Sequence, residues 1–212
     1  MGEVPETTAS NQKDYYLGFR VGPRASTLGA GLEIAKGFTP RLGARMGFNY
    51  FGHHYEDKAS DIDYNFDLRL QSLALLADWH PFKGMFRIST GAIFNGARLK
   101  MIADLDPTSP EEINGVPYKL DSVNGTLKFN SVAPYLGLGW DTTFGDDDSW
   151  GLTFDVGVLY HGSPELQISA SGPDASLANF SSDLEQERLD LQNDLADFRF
   201  WPVVSAGFLY QF

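Results

Sequence analysis

From Val204 to Phe212 every second residue is apolar: Val204, Ala206, Phe208, Tyr210 and Phe212 share one parity, and the positions between include Ser205, Gly207 and Gln211. A strand sends alternate side chains to opposite faces, so this stretch has one greasy, aromatic face and one small or polar face. The same period runs through most of the chain. No apolar run approaches the ~20 residues that a membrane helix needs, because charges interrupt every long candidate. A helical membrane protein is excluded. A β-barrel is not, because alternation averages out in a hydropathy window.

About eight alternating segments can be traced. Tyr15, Leu17, Phe19 and Val21 alternate with Tyr16, Gly18, Arg20 and Gly22, ahead of a turn expected at Pro23 and Arg24. Segments around 28–35 and 42–50 follow, joined by a turn at Gly37 to Pro40. Gly52 to Asp61 reads as a polar loop. The fourth strand ends at Trp79 and has two phases: Tyr64, Phe66, Leu68 and Leu70 share one parity, while Leu73, Leu75, Ala77 and Trp79 share the other. Either its upper half stands clear of the membrane or a bulge shifts the register near Gln71. Further strands fall near 86–95, 132–140, 151–161 and 198–212, with 99–128 expected as a long polar insertion. Leu184, Leu191, Leu195 and Phe198 recur at helical spacing and predict a helix over 181–197. Residues 1–12 read as a loose tail and 13–212 as one barrel domain. Met1 to Pro5 lacks the basic start and apolar core of a signal peptide, which reads as a mature sequence with an appended start.

The two faces point to an inside-out arrangement. One carries glycines such as Gly31, Gly47, Gly139 and Gly157 together with Arg20, Glu33, Arg45, Arg87, Asp155 and Arg199. Small residues belong in a narrow barrel's interior, and charges of both signs confined there can pair. The other face carries aliphatic residues mid-strand and aromatics toward the ends: Tyr15, Tyr50, Trp79, Trp140, Tyr160, Tyr210 and Phe212. That is the expected lipid surface with its interfacial girdle. A soluble barrel would reverse the two faces. The predicted fold is an all-β, eight-stranded, antiparallel up-and-down transmembrane barrel with long outer loops and one loop helix.

Composition narrows the chemistry. The chain has no cysteine, which removes disulfides, thiolate catalysis and zinc–thiolate sites. A net charge of −12 argues against nucleic acid as a partner. No cofactor or metal is expected.

The pattern over ~13–212, and above all the closing strand with Tyr210 and terminal Phe212, resembles the small eight-stranded outer-membrane barrels of Gram-negative bacteria, the OmpA-type and OmpW-type superfamily. The segment Asp78–Phe82 followed by Phe86-Arg87-Ile88 is similar to a hairpin of that group. The resemblance implies a place in the bacterial outer membrane, contact with the lipid bilayer and lipopolysaccharide, and recognition of the last strand by the barrel-assembly machinery. It implies function only weakly, because this fold hosts pores, enzymes, adhesins and anchors.

Within it, the six charged residues form either a salt-bridged plug or a narrow conducting path. His161, Ser163 and Glu165 hold the residue types of an acyl-transfer site, as in outer-membrane lipid A deacylases, but sit crowded in one loop entrance. His53, His54, Glu56 and Asp57 have metal-ligand chemistry, and Asp146–Asp148 could bind calcium; solvated loops are the simpler reading of both. The helix could cover its own loop's Leu166, Ile168 and Leu177, or fold over the barrel mouth. The expectation is a non-enzymatic outer-membrane protein that is structural or binds or passes a small molecule. The alternatives are an OmpW-like narrow channel for small or apolar solutes, a lipid-modifying enzyme and a soluble lipocalin-like ligand-binding barrel.

Overall fold

The computed structural model describes residues 18–59, 62–82, 84–144 and 149–212. Eight strands close a ring in the order β1 (Gly18–Ser26), β2 (Gly29–Gly37), β3 (Leu42–Ala59), β4 (Ile62–Trp79), β5 (Phe86–Asn95), β10 (Val132–Phe144), β11 (Trp150–Tyr160) and β13 (Phe200–Gln211), with β13 pairing back to β1. Every pairing is antiparallel. The links β2–β3, β4–β5 and β10–β11 are short and lie at one end, which is the inner end of an up-and-down membrane barrel.

The outward face is the oily one. Leu32, Phe48, Phe154 and Phe208 are 59, 46, 43 and 52% exposed, while Glu33 and Arg45 are 2 and 4% exposed. In water this arrangement would place the largest apolar side chains in solvent and the charges in the core, so the surrounding medium is lipid. That overturns the soluble-barrel alternative. Aromatics border the band. Tyr50, Tyr160 and Phe200 mark its outer edge, where the Tyr160 and Phe200 rings lie 5.2 Å apart. Trp79, Trp140, Trp150, Tyr210 and Phe212 mark the inner edge, with Trp150–Tyr210 at 4.9 Å and Tyr210–Phe212 at 5.1 Å. Tyr15, the 1–12 tail and Asp146–Asp148 lie outside the described residues.

Three sequence expectations change, and one left open is decided. Pro23 and Arg24 sit inside β1, and the turn falls at Thr27 and Leu28. Pro23 pairs with Leu32 of β2, and the ladder toward β13 passes from Val21 to Arg24 without it, which accommodates a residue with no N–H. Leu28 is therefore buried at the mouth rather than facing lipid. The expected loop from Gly52 is strand as far as Ala59: β3 and β4 pair from Leu42↔Trp79 to Ala59↔Ile62 without a slip. No bulge occurs near Gln71, so the upper half of β4 stands clear of the membrane on an unchanged register.

The polar insertion holds β6 (Arg98–Asp104), a small hairpin of β7 (Glu111–Ile113) and β8 (Val116–Tyr118), and β9 (Ser122–Lys128). β6 pairs with the upper part of β4, β9 with β6, and β12 (Glu165–Ser171) with β9. These strands continue one side of the barrel outward as a curved wall. The helix, α1, spans Phe180–Asp194, three residues short of the predicted end, and packs on β12. Phe180 meets Tyr118 edge-on at 5.0 Å within a satellite core that includes Ile113 and Leu120.

The bilayer assignment has a direct check. Replacing Val156, which points outward in mid-β11, by Arg costs about 2–4 kcal/mol in a lipid-embedded barrel, whereas Asn65→Arg on the wall above costs about 0–1 kcal/mol. Reversible urea unfolding in vesicles, followed by heat-modifiable gel migration, measures both.

Candidate functional site

The barrel interior has two layers of opposite character. At membrane level four guanidiniums, from Arg20, Arg24, Arg45 and Arg87, meet four carboxylates, from Glu33, Asp78, Asp141 and Asp155. Arg45 is the hub. Its Nε lies 2.7 Å from Asp78, and its Nη atoms lie 3.2 Å from Glu33 and 3.1 Å from Asp155 and donate to Ser89 Oγ at 2.9 Å. Arg87 joins Asp155 at 2.7 Å and pairs with Asp141, and Asp141 also takes Arg20 at 3.3 Å. Arg24 pairs with Glu33 and donates to Ser205 Oγ at 2.7 Å, and Ser205 donates to Asp155 at 3.2 Å. Each barrel strand supplies at least one member, so the network ties all eight together across the axis.

Alternation makes this possible: every member has the inward parity of its strand. Gly139 makes room for it, because a Cβ there would lie 2.6 Å from Asp155 Oδ1 and 2.7 Å from Arg87 Nε. Of the six charges singled out in the sequence, Arg20, Glu33, Arg45, Arg87 and Asp155 are buried here. Arg199 is not among them. It precedes β13, is exposed, and donates from Nε to the Ala196 carbonyl at 2.8 Å. Arg24, Asp78 and Asp141 were missed. Arg24 had been placed in a turn, and Asp78 and Asp141 flank Trp79 and Trp140, whose outward parity already put both carboxylates inward.

Above the plug the interior turns apolar. Leu28, Leu76, Ile93, Tyr135, Leu159 and Val203 pack together with Trp201 against them. Higher still, the concave face of the wall presents Leu68, Leu70, Leu99 and Leu127, and the segment after α1 brings Leu195 and Phe198 over them. The result is a cavity of about 300 Å³ in the mouth. It shares Leu99, Leu127 and Leu195 with a second apolar cavity of about 490 Å³ between the wall and α1. The helix thus covers Leu166 and Ile168, while the segment that follows it roofs the mouth. Gln192 fixes it to the wall: its amide donates to the Pro164 carbonyl, and its oxygen accepts the Leu166 N–H at 2.8 Å.

Two polar atoms lie in this chamber without a hydrogen-bond partner among the described residues: His161 Nδ1 and Trp201 Nε1. His161 is buried and meets Phe129 edge-on at 4.9 Å. Trp201 pairs with Leu159 across β11–β13, which puts it diagonal to His161 on the inward face.

The other candidates do not assemble. Ser163 is exposed and donates to the Ala196 carbonyl, and Glu165 accepts from Gln167, so neither engages His161. His53 and His54 are adjacent in β3 and leave opposite faces. The His53 ring stacks between Phe51 and Tyr55, at 6.2 and 6.5 Å, while His54 lies 3.2 Å from Glu56. Among the described residues no cluster of three metal-ligating side chains forms.

No protein-family model and no curated protein matches this chain. Solved structures that share its fold include two from Acinetobacter baumannii. Acinetobacter baumannii CarO2 is 21% identical with a TM-score of 0.62, over 92% of this chain and 99% of that one. Acinetobacter baumannii CarO is 22% identical with a TM-score of 0.59, over 91 and 97%. With the lipid-facing band, this fold makes the chain an outer-membrane barrel of the small eight-stranded kind.

Two outcomes test the layers. Arg45→Ala leaves buried carboxylates unpaired and should destabilise the barrel by about 3–5 kcal/mol in the same unfolding assay, with Arg45→Ala/Asp155→Asn losing less than the sum of its parts. Burial pushes the His161 pKa below the ordinary histidine value, opposed in part by nearby backbone groups of His161 and Gly162 that do not reach hydrogen-bond geometry at Nδ1. A depressed histidine stabilises the closed mouth above the ordinary pKa near ~6.5, and that contribution is lost as pH falls below it, because the opened form takes up the proton. Hydrogen exchange over residues 195–201, corrected for intrinsic rates, should rise between about pH 7.5 and 5.5, and His161→Phe should abolish the rise.

Proposed function

We propose that this outer-membrane barrel is a non-enzymatic binding protein that captures an uncharged, amphipathic small molecule at its outer mouth. The observation that carries this reading is the apolar chamber with His161 Nδ1 and Trp201 Nε1 unpaired at its wall. Buried polar atoms without partners are costly, and a site that keeps two of them in an otherwise oily cavity is built for a ligand that satisfies them. Trp201 can only donate, so the ligand supplies an acceptor oxygen, as in an alcohol, ester or amide. A carboxylate is disfavoured, because among the described residues no lysine or arginine lines the cavity to offset the burial of its charge.

Passage along the axis is the weaker reading. The plug is balanced in charge and spans the lumen, so a solute would have to break several buried ion pairs to cross. A lipid-modifying enzyme is weaker still, since Ser163 and Glu165 face away from the one buried histidine of that set.

A long-chain alcohol carrying a photoactivated diazirine, added to the full chain in nanodiscs, tests the proposal. Mass spectrometry should place adducts on peptides around Leu99, Leu127 and Leu195, and Leu127→Trp, which fills the chamber, should cut them about tenfold. At pH 8 the matching carboxylate should label about tenfold less, since an unpaired buried charge costs more than the 1.4 kcal/mol of one decade. Adducts confined to lipid-facing positions would refute capture in the mouth. Planar-bilayer recording should show no stepwise conductance; steady single-channel steps would favour the channel.

A further inference from the structure

The outer wall carries a row of cations at one height. Arg69 of β4 stands opposite Arg98 of β6, and Arg98 stands opposite Lys128 of β9. All three leave the convex face. Arg69 shares the parity of Leu73, Arg98 that of Phe94 and Lys128 that of Val132, which are the outward residues below. Lys100 lies one step higher on β6 with the same parity. Like charges placed directly opposite one another repel, and this chain has few cations to spare at net −12.

The row is not neutralised from within. Arg69, Arg98 and Lys100 are exposed, and none forms an ion pair with a described residue. Lys128 donates to Gln167 Oε1 at 3.0 Å. Two carboxylates are near: Asp67 opposite Lys100, and Glu165 opposite Lys128, which accepts from Gln167 instead. Arg69, Arg98 and Lys100, with Asp67, Gln71 and Gly96, line a groove of about 220 Å³. Gly96 leaves its floor open.

The height of the row identifies its environment. Tyr50, at the outer edge of the lipid-facing band, pairs with Gln71, two residues below Arg69 on β4. Two residues of strand rise about 7 Å. Side chains that far beyond an aromatic belt reach the headgroup layer, where phosphate is the fixed anion. Guanidiniums bind phosphate oxygens in a bidentate fashion, and an anion shared by the row would turn its internal repulsion into attraction.

We propose that Arg69, Arg98, Lys100 and Lys128 form a binding site for the phosphate groups of outer-leaflet lipid. The site is on the convex side of the wall, separate from the chamber on the concave side, and does not depend on the chamber's ligand.

The test uses the full chain in neutral-lipid nanodiscs, titrated with lipopolysaccharide, with the same lipopolysaccharide after enzymatic removal of its lipid A phosphates, and with inorganic phosphate. Intact lipopolysaccharide should bind about tenfold or more tighter than the dephosphorylated form, and added salt should weaken it. Arg69→Ala/Arg98→Ala should lose that preference, Arg69→Lys/Arg98→Lys should keep most of it, and Arg41→Ala at the inner end should leave it unchanged. Heat-modifiable migration verifies that each variant is folded. Equal affinity for the two lipid forms, or an unchanged preference in the double alanine variant, would overturn the proposal. Inorganic phosphate binding as tightly as the lipid would overturn its assignment to a membrane ligand.

Discussion

The hub is the Arg45 guanidinium, held between Glu33, Asp78 and Asp155 in the middle of the barrel. A barrel of eight strands is too narrow for a water column once its side chains are in place, so its polar interior must satisfy itself. Equal numbers of arginines and carboxylates do this, drawn from strands far apart in sequence. Each charge is tolerable only because the others are present. Closure of the ring and burial of the network are therefore one requirement met twice: the strands bring the charges together, and the charges fix which strands face across the axis.

Outside the bilayer the same strands serve an opposite purpose with no break in register. On β4 the even positions run Asp78, Leu76, Ala74, Ser72, Leu70, Leu68, Phe66 and Tyr64, always inward, from charge at the bottom to hydrocarbon at the top. The odd positions run from Trp79 and Leu73 in lipid to Arg69 and Asp67 at the level of the headgroups. Each face changes polarity where its surroundings change. Within the membrane the wall is a plugged cylinder. Above it, the wall becomes half of an ordinary hydrophobic core, with α1 and the Leu195–Phe198 segment as the other half. The chamber is the part of that core left unfilled.

This explains what could be read from the sequence. Period-two alternation located all eight barrel strands, the lipid face and five of the buried charges, because those depend only on parity within a strand. It failed where parity was sound but the environment changed. For the apolar even positions 64–70 it left two readings open, a bulge or an upper half clear of the membrane, because a slipped strand and a strand that changes surroundings give the same two-phase pattern. Residues 99–128 looked like a polar loop because their apolar residues, Leu99, Met101, Val123 and Leu127, face a cavity shared with β4 and β12. Their partners are distant in sequence, and no local pattern names them. Arg199 was drawn into the network by extending the last strand two residues too far, while Arg24 was lost by ending the first too soon. His161 was noticed for its chemistry, but its isolation from Ser163 and Glu165, and its place diagonal to Trp201, come from the pairing of β11 with β13.

The central claim is that a lipid-embedded barrel is closed by buried ion pairs. Arginine side-chain NMR of the folded chain in nanodiscs tests it without altering a residue. Arg20, Arg45 and Arg87 should give resolved guanidinium N–H signals that exchange slowly with water, unlike the exposed Arg41 and Arg98. Exchange of all of them at the fast rate of the exposed pair would mean a water-filled lumen and would contradict the account.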